Sequence, residues 1–331
     1  MFRGVFILLI TGCVLATVPA FALVERRVER RFEIPEDAAL NLDTFSGEVR
    51  ITEVPDAKAI EVLVVQTADV ATETAMDARL ACMSLEMNQR NGTVSLTTRY
   101  AKPMAWSWKT WPPVNLVYEI KVPRRCDVRI TTRDGAIVIG SLEGRVVVGN
   151  ESGDIFTGEI DGPVTAHSLT GGVAITAATG AINASTRTST IQIGRAFGPT
   201  RVSSQGGYIE VQQAGAELVI RGSGSSAHVG FAQQFKHAAD IAVSGGELML
   251  VLETNRACTL DLKSSIFGKV NVRGGLPLKV TAGSVGQSSL EATVNGGGPR
   301  ITARASGGSV VVRSVSPLLA QMDADSSLRA D

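Results

Sequence analysis

Few residues in this chain are of the types that carry chemistry, and their spacing decides what they could do. Among its 331 residues there are only three histidines, His167, His228 and His237. A zinc centre draws several nitrogen, sulfur or oxygen ligands together, usually from short local spacings, and imidazoles this scattered do not supply one. His228 and His237 lie nine residues apart, half of the repeat described below. That spacing favours opposite sides of the molecule, and so two independent surface or turn histidines rather than a ligand pair. Carboxylates gather at Asp134, Glu143, Glu151, Asp154, Glu159 and Asp161. Glycan hydrolysis would need two of them side by side, and neutralising a cluster such as Asp154 and Glu159 would test it. A calcium roll would need an Asp at one fixed offset in every repeat, after a Gly-Gly-x-Gly turn. The offsets here differ, which favours a solvated turn surface. No Gly-x-Ser-x-Gly elbow occurs, and Gly222-Ser-Gly-Ser-Ser226 and Gly296-Gly-Gly298 lack the Lys and helix of a phosphate loop. No catalytic residue, metal ligand or cofactor site is therefore assigned.

The sharpest local feature is Tyr100-Ala-Lys-Pro-Met-Ala-Trp-Ser-Trp-Lys-Thr-Trp-Pro-Pro113, which holds all three tryptophans, Trp106, Trp108 and Trp111. Flat amphipathic rings on a Pro-braced loop suit stacking against sugars, peptide or lipid headgroups, so Tyr100, Trp106, Trp108 and Trp111 are the candidate binding residues. The rival reading lays them on the body of the protein. Val138, Val147 and Phe156 are apolar at outward positions where the later equivalents Gln192, Arg201 and Glu210 are polar, and a cover from the Trp loop or neighbouring strands is favoured there.

What must position these residues is a repeat. Stepping by nine from Gly135 gives Gly144, Gly153, Gly162, Gly171, Gly180, Ser189, Gly198 and Gly207. Two residues after these come Ile137, Val146, Ile155, Val164, Val173, Ile182, Ile191, Thr200 and Ile209, all β-branched. Residues two apart on a strand share a face, so each unit reads as a short strand entered through a glycine bend. Units that cannot bury a face alone must stack. The expected fold is all-β, a single-stranded β-solenoid with 18-residue coils made of two nine-residue halves. Five coils at the strand spacing would form a rod about 24 Å long. Looser versions of the phrase continue through Gly308-Ser-Val-Val-Val-Arg313 and begin at Gly47, with one short helix expected at about 71–81. The expected organisation is an N-terminal cap of wide coils carrying the Trp insertion over 23–125, a regular solenoid over 126–314, and a flexible tail over 315–331.

Residues 1–22 read as a signal peptide: a basic Arg3, an apolar run from Gly4 to Ile10, and Ala20-Phe-Ala22 as the cleavage pattern, giving a start at Leu23. Ile10-Thr-Gly-Cys13 offers an alternative, a lipobox that would leave Cys13 lipidated. No later stretch reaches the roughly 20 apolar residues of a membrane span. Export leaves Cys82, Cys126 and Cys258, an odd number without CxxC. Three buried thiols are favoured, with one disulfide plus a free thiol as the alternative. Lys+Arg and Asp+Glu both number 32, which removes the basic footprint of a nucleic-acid binder. Arg26-Arg27 and Arg30-Arg31 alternate with Glu25, Glu29 and Glu33, as on a solvated strand edge.

The phrases Asp43-Thr-Phe-Ser-Gly-Glu-Val-Arg-Ile51, Tyr118-Glu-Ile-Lys-Val-Pro123 and Thr131-Thr-Arg-Asp-Gly-Ala-Ile137, with repeated Ser/Thr-x-Gly-x-Ile/Val turns, resemble the bacterial "putative adhesin" β-strand-repeat family, a domain of unknown function. The resemblance runs from about Val28 to Arg313 and rests on repeat-forming motifs. It implies an envelope-associated β-solenoid and brings no catalytic residues with it; the Trp-rich insertion departs from the usual pattern. The function expected is binding or scaffolding in the periplasm, outer envelope or extracellular space, with an envelope protein or glycan as partner. The alternatives are a polysaccharide-active β-helix and an envelope-stress or assembly factor.

Overall fold

The glycine-led phrase produces strands, and strands are nearly all that the chain contains. The computed structural model describes residues 23–34, 38–101 and 111–316; the leader, Trp106, Trp108 and residues 317–331 lie outside the described residues. Among those described there is one helix, Glu73–Leu80, where the sequence places one. Thr72 caps it, its Oγ1 accepting from the Ala75 amide at 3.2 Å.

The strands form two 14-stranded sheets that face each other, and from Val146–Ser152 to Val270–Arg273 the chain crosses from one to the other between successive strands. Through the middle of the molecule this produces parallel columns. In the first sheet Ile137, Ile155, Val173, Ile191, Ile209 and Ala227 lie side by side. In the second the column is Val128, Val146, Val164, Ile182, Thr200 and Leu218. Both columns are buried and form the core between the sheets. Burial of each Val, Ile or Leu side chain contributes about 1.5–3 kcal/mol. Partners in these columns are 18 residues apart; the shift then becomes 21 at Leu218–Ala239 and Ala227–Leu248, across a loop anchored by Phe231 against Phe235.

The corners explain the glycines. A Cβ on Gly171 would run into the carbonyl oxygen of Gly153, one tier away, and a Cβ on Gly153 into that of Gly135. The same holds at the opposite corner for Gly198 against Gly180. Where the second sheet passes into the first, five successive tiers also bury a polar side chain: Thr132, Asn150, Ser168, Thr186 and Ser204. Each bonds main chain of the turn. Asn150 Nδ2 donates to the carbonyls of Gly135 and Gly153 at 2.9 and 3.0 Å, and its Oδ1 accepts from the Ser152 amide at 3.2 Å. Thr186 Oγ1 donates to the Gly171 carbonyl at 3.0 Å, and Ser168 Oγ accepts from the Gly171 amide at 2.9 Å. Tight turns leave carbonyls without ladder partners, and this row satisfies them.

Ladder order departs from chain order at both ends. The tier made of Ala38–Asp43 and Glu48–Val54 lies between Cys126–Asp134 with Ile137–Ile139 on one side and Thr93–Tyr100 with Asn115–Pro123 on the other. At the opposite end Arg300–Ser306 and Val310–Val315 lie between Ala239–Ser244 with Leu248–Glu253 and Cys258–Ser265 with Val270–Arg273. Antiparallel strands finish both ends, with Leu23–Glu33 at the edge of the first sheet and Leu278–Gly283 at the edge of the second. The arginines and glutamates of Leu23–Glu33 do form a solvated, charge-paired edge: Arg31 bonds Glu33 and Glu61, and Arg26 bonds Glu73 and Asp77. Near this end Tyr118 is fully buried, its hydroxyl 3.0 Å from Thr44 Oγ1 and 2.6 Å from Thr98 Oγ1. Burial pushes its phenol above the ordinary value, the two hydroxyls opposing.

Cys82, Cys126 and Cys258 are all unpaired thiols. Cys126 and Cys258 are buried as expected, and burial pushes them up to about 12 and about 11. Cys82 differs, being only half-buried beside the helix end, its Sγ 3.6 Å from the Ala78 carbonyl.

Two outcomes follow. Asn150→Ala removes the side-chain partner of the Gly135 carbonyl and the Ser152 amide, leaving Ser168 Oγ at 3.4 Å on the Gly153 carbonyl, and should cost about 2 kcal/mol in urea unfolding. A disulfide-forming thiol reagent at pH 8 should modify Cys82 in the folded protein, whereas Cys126 and Cys258 should react only after unfolding, because their thiols stay protonated and enclosed.

Candidate functional site

One corner of the stack, where the second sheet turns into the first, presents a single file of outward side chains. Phe45, Arg133, Glu151, Leu169, Arg187, Gln205 and Ser223 occupy it, one per tier. Turn hydrogen bonds hold the file: the Arg133 amide donates to the Phe45 carbonyl at 3.2 Å, the amide of Thr170, next to Leu169, to the Glu151 carbonyl at 3.1 Å, and the Arg187 amide to the Leu169 carbonyl at 3.2 Å. At one strand spacing per tier the file runs about 29 Å.

Its N-terminal end is aromatic. Phe45, Tyr100 and Trp111 meet edge to face, with ring centroids 5.8, 6.2 and 5.6 Å apart, a geometry worth about 0.5–1.5 kcal/mol per pair beyond burial. The Arg133 guanidinium lies 5.4 Å from the Phe45 centroid and its Nε is 3.5 Å from Glu151. Tyr100 Oη donates to the Val114 carbonyl at 3.1 Å, and burial holds its phenol above the usual range. Of the four aromatic residues marked from the sequence, the structure brings Tyr100 and Trp111 together. Trp106 and Trp108 belong to the segment 102–110, outside the described residues, whose flanking residues Ala101 and Trp111 lie at this corner.

Further along, the file borders a groove of about 550 Å³. Its floor is the second sheet's outward column His167, Ser185, Ser203 and Arg221, and Gln205 and Ser223 form its rim. His167 Nδ1 lies 2.7 Å from Ser185 Oγ. Arg221 is fixed by Asp240, donating to its carboxylate and, at 2.9 Å, to its carbonyl. Sequence reasoning missed Phe45, Arg133 and this groove. The signal was present: His167, Ser185, Ser203 and Arg221 recur every 18 residues, and Phe45 sits at the turn of the Asp43–Ile51 phrase.

A serine bonded to a histidine raises the question of nucleophilic catalysis. Such a pair needs a third group orienting the imidazole and amide donors aimed at an oxyanion. Among the described residues no carboxylate hydrogen-bonds His167, and Ser185 stands within the strand Ile182–Thr186, whose amides are engaged in the parallel ladder. The carboxylates are equally committed. Glu159 pairs with Arg195, Glu143 with Arg124 and Arg125, and Glu151 with Arg133. Asp154 Oδ1 accepts from the Gly172 amide at 2.7 Å and Asp161 Oδ1 from Thr179 Oγ1 at 2.7 Å. Asp154 precedes the strand Ile155–Asp161 and Glu159 lies within it, each engaged by its own partner, so they are not a free carboxylate pair of the kind that glycoside hydrolysis uses.

His228 and His237 are not brought together as ligands: His228 lies on a strand of the first sheet beside Glu210 and Met249, and His237 packs against Phe235 in the loop. Among the described residues no group of three His, Cys, Asp or Glu side chains is placed to hold a metal ion, and no helix is long and apolar enough to cross a membrane.

The expected covered patch is corrected. Val138 and Phe156 are neighbours on the first sheet and remain 39% and 46% exposed, while Val147 lies on the second sheet. A nine-residue step moves a residue to the other sheet, so the three never shared a surface.

No family model and no curated protein matches the sequence. Among solved structures it is similar to a "putative adhesin" from Bacteroides fragilis, with 11% identity over 88% of this chain and 97% of that one and a TM-score of 0.37. It is also similar to a "putative cell adhesion protein" from Clostridium sporogenes, with 11% identity over 88% and 100% and a TM-score of 0.23. A "putative adhesin" from Parabacteroides merdae shows 8% identity over 88% and 97%, with a TM-score of 0.28.

The aromatic corner makes a spectroscopic prediction. In a Trp106→Phe/Trp108→Phe variant, the remaining Trp111 should emit blue-shifted of free indole and resist acrylamide, and adding Phe45→Ala should shift it to the red. Emission like that of free tryptophan before that last change would remove Trp111 from the corner.

Proposed function

We propose that this protein is an exported, adhesin-like binding protein of a bacterial envelope, without catalysis, whose corner file and groove hold an extended envelope glycan. The scaffold is a β-solenoid of 18-residue coils, cut from its leader after Ala22 or, in the alternative, tethered through Cys13. The observation that carries the ligand class is the continuity of the Phe45–Tyr100–Trp111 cluster with the groove along one corner. An aromatic platform followed by serine hydroxyls, Gln205, His167 and guanidinium groups suits a hydroxyl-rich chain, which offers apolar ring faces and many donors and acceptors at once. A peptide binding by strand addition needs free ladder amides, and along this corner they are spent within the stack. Trp106 and Trp108, adjoining the platform in sequence, are proposed to extend it.

Titration calorimetry with envelope oligosaccharides of increasing length tests this. Affinity should grow with chain length until the file is filled. Ser203→Trp, which fills the groove, should weaken binding about tenfold, equal to about 1.4 kcal/mol, and Trp111→Ala should also weaken it, while Arg30→Ala on the far edge should not. Absence of glycan binding, with a protein partner recovered from crosslinked envelopes, would overturn the ligand class.

A further inference from the structure

The C-terminal end of the same corner carries an anomaly unrelated to the groove. Between Cys258–Ser265 and Val270–Arg273 the chain turns through Ile266 and Phe267, with φ of 57° and 66°. A β-branched residue in the left-handed region is strained, and Asn or Gly would hold such a turn more easily. Instead the turn displays two large apolar side chains, Ile266 67% exposed and Phe267 fully exposed. The adjoining turn adds exposed Val285. It is fastened to the base of the first by Gly286 donating to the Val270 carbonyl at 2.7 Å and Val270 donating to Gln287 at 2.8 Å. Neither the strain nor the exposure is recovered within the fold.

The charge around this tip is one-sided. Lys and Arg equal Asp and Glu over the whole chain, yet from Arg256 to Ser316 there are eight basic residues and two acidic ones. Of the eight, Arg256 is buried on the Phe231 and Ala232 carbonyls and the others are Lys263, Lys269, Arg273, Lys279, Arg300, Arg304 and Arg313. Of the two acidic residues, Asp261 is held by Arg300 at 2.7 Å and Lys263 at 3.6 Å. Lys263 and Lys269 flank the tip in sequence, Lys279 lies on the edge strand, and Arg273 stands directly beside Arg313. Like charges directly opposite on neighbouring strands repel and are relieved by an external anion.

We infer that this end docks on an anionic lipid bilayer: Ile266 and Phe267 enter the boundary between headgroups and acyl chains while the surrounding lysines and arginines face the phosphates. Apolar insertion together with a basic surround is the combination that holds peripheral proteins on acidic lipid. A second copy meeting the same end would set two basic surfaces against each other, which charge complementarity opposes. The inference does not depend on the glycan reading.

The test is flotation of the exported, leader-processed protein with vesicles of phosphatidylcholine alone or mixed with phosphatidylglycerol. Binding is expected on the mixed vesicles, to fall with added salt, and to be at least about tenfold weaker on phosphatidylcholine. The Ile266→Asn/Phe267→Gly variant should lose about tenfold in vesicle affinity while its melting temperature holds or rises, since both replacements suit the turn. Failure of the wild-type protein to float with anionic vesicles, or equal binding by the variant, would overturn the proposal. So would concentration-dependent self-association that the same variant abolishes, because it would give the tip to a second copy.

Discussion

Stacking at one strand spacing leaves no room for a Cβ at most of the corner positions, Ser189 being an exception in its column. Gly171 against Gly153, and Gly198 against Gly180, bring main chain of one tier directly onto main chain of the next, and the remaining features of the ladder depend on that approach. It keeps the strands in hydrogen-bonding range on both sheets at once, and it sets the columns of Val and Ile that form the core. It also creates a difficulty, because tight turns leave carbonyls facing inward. The buried row Thr132, Asn150, Ser168, Thr186 and Ser204 answers it with short side chains whose partners are the turns themselves. Buried polar groups are tolerated when fully partnered, and here they add a second, directional reason for each tier to sit in one register.

The outward surface is then whatever the tiers display. Because one residue per tier occupies the corner, an outward track arises from residues far apart in sequence, and its composition changes along its length. Rings gather at the Phe45 end, hydroxyls and guanidinium groups follow in the middle, and aliphatic and phenyl side chains with lysines lie at the Phe267 end. Each part is offered to a different chemistry by the same geometric line.

How much of this the residues disclose depends on whether spacing carries the information. The strand positions, the inward Val and Ile and the glycine bends follow from a fixed step and are legible, and the helix near Glu73 is legible as an insertion between strands. So is the edge character of Leu23–Glu33, from its alternating Arg and Glu. The grouping of Val138, Val147 and Phe156 failed because a nine-residue step changes sheet. The corner file is harder to see: Phe45, Arg133, Glu151 and Leu169 share no residue type, and what unites them is only the register. Tyr100 and Trp111 were legible as aromatic residues at an anomaly, but their partner Phe45 lies 55 positions before Tyr100. The pairing of Ala239 with Ile301 is likewise absent from any local period, since it closes a loop of 62 residues.

The tucked final tier bears on how such a molecule can change length. Arg300–Ser306 and Val310–Val315 occupy an interior level of the stack, so removing them opens a gap within it instead of shortening it. The equivalent constraint holds for Ala38–Asp43 and Glu48–Val54. Duplication or loss of a repeat is therefore compatible with the ladder only in the central stretch, where ladder order and chain order coincide. Lineages of this fold should vary in the number of middle repeats while both interleaved ends are inherited as fixed pieces.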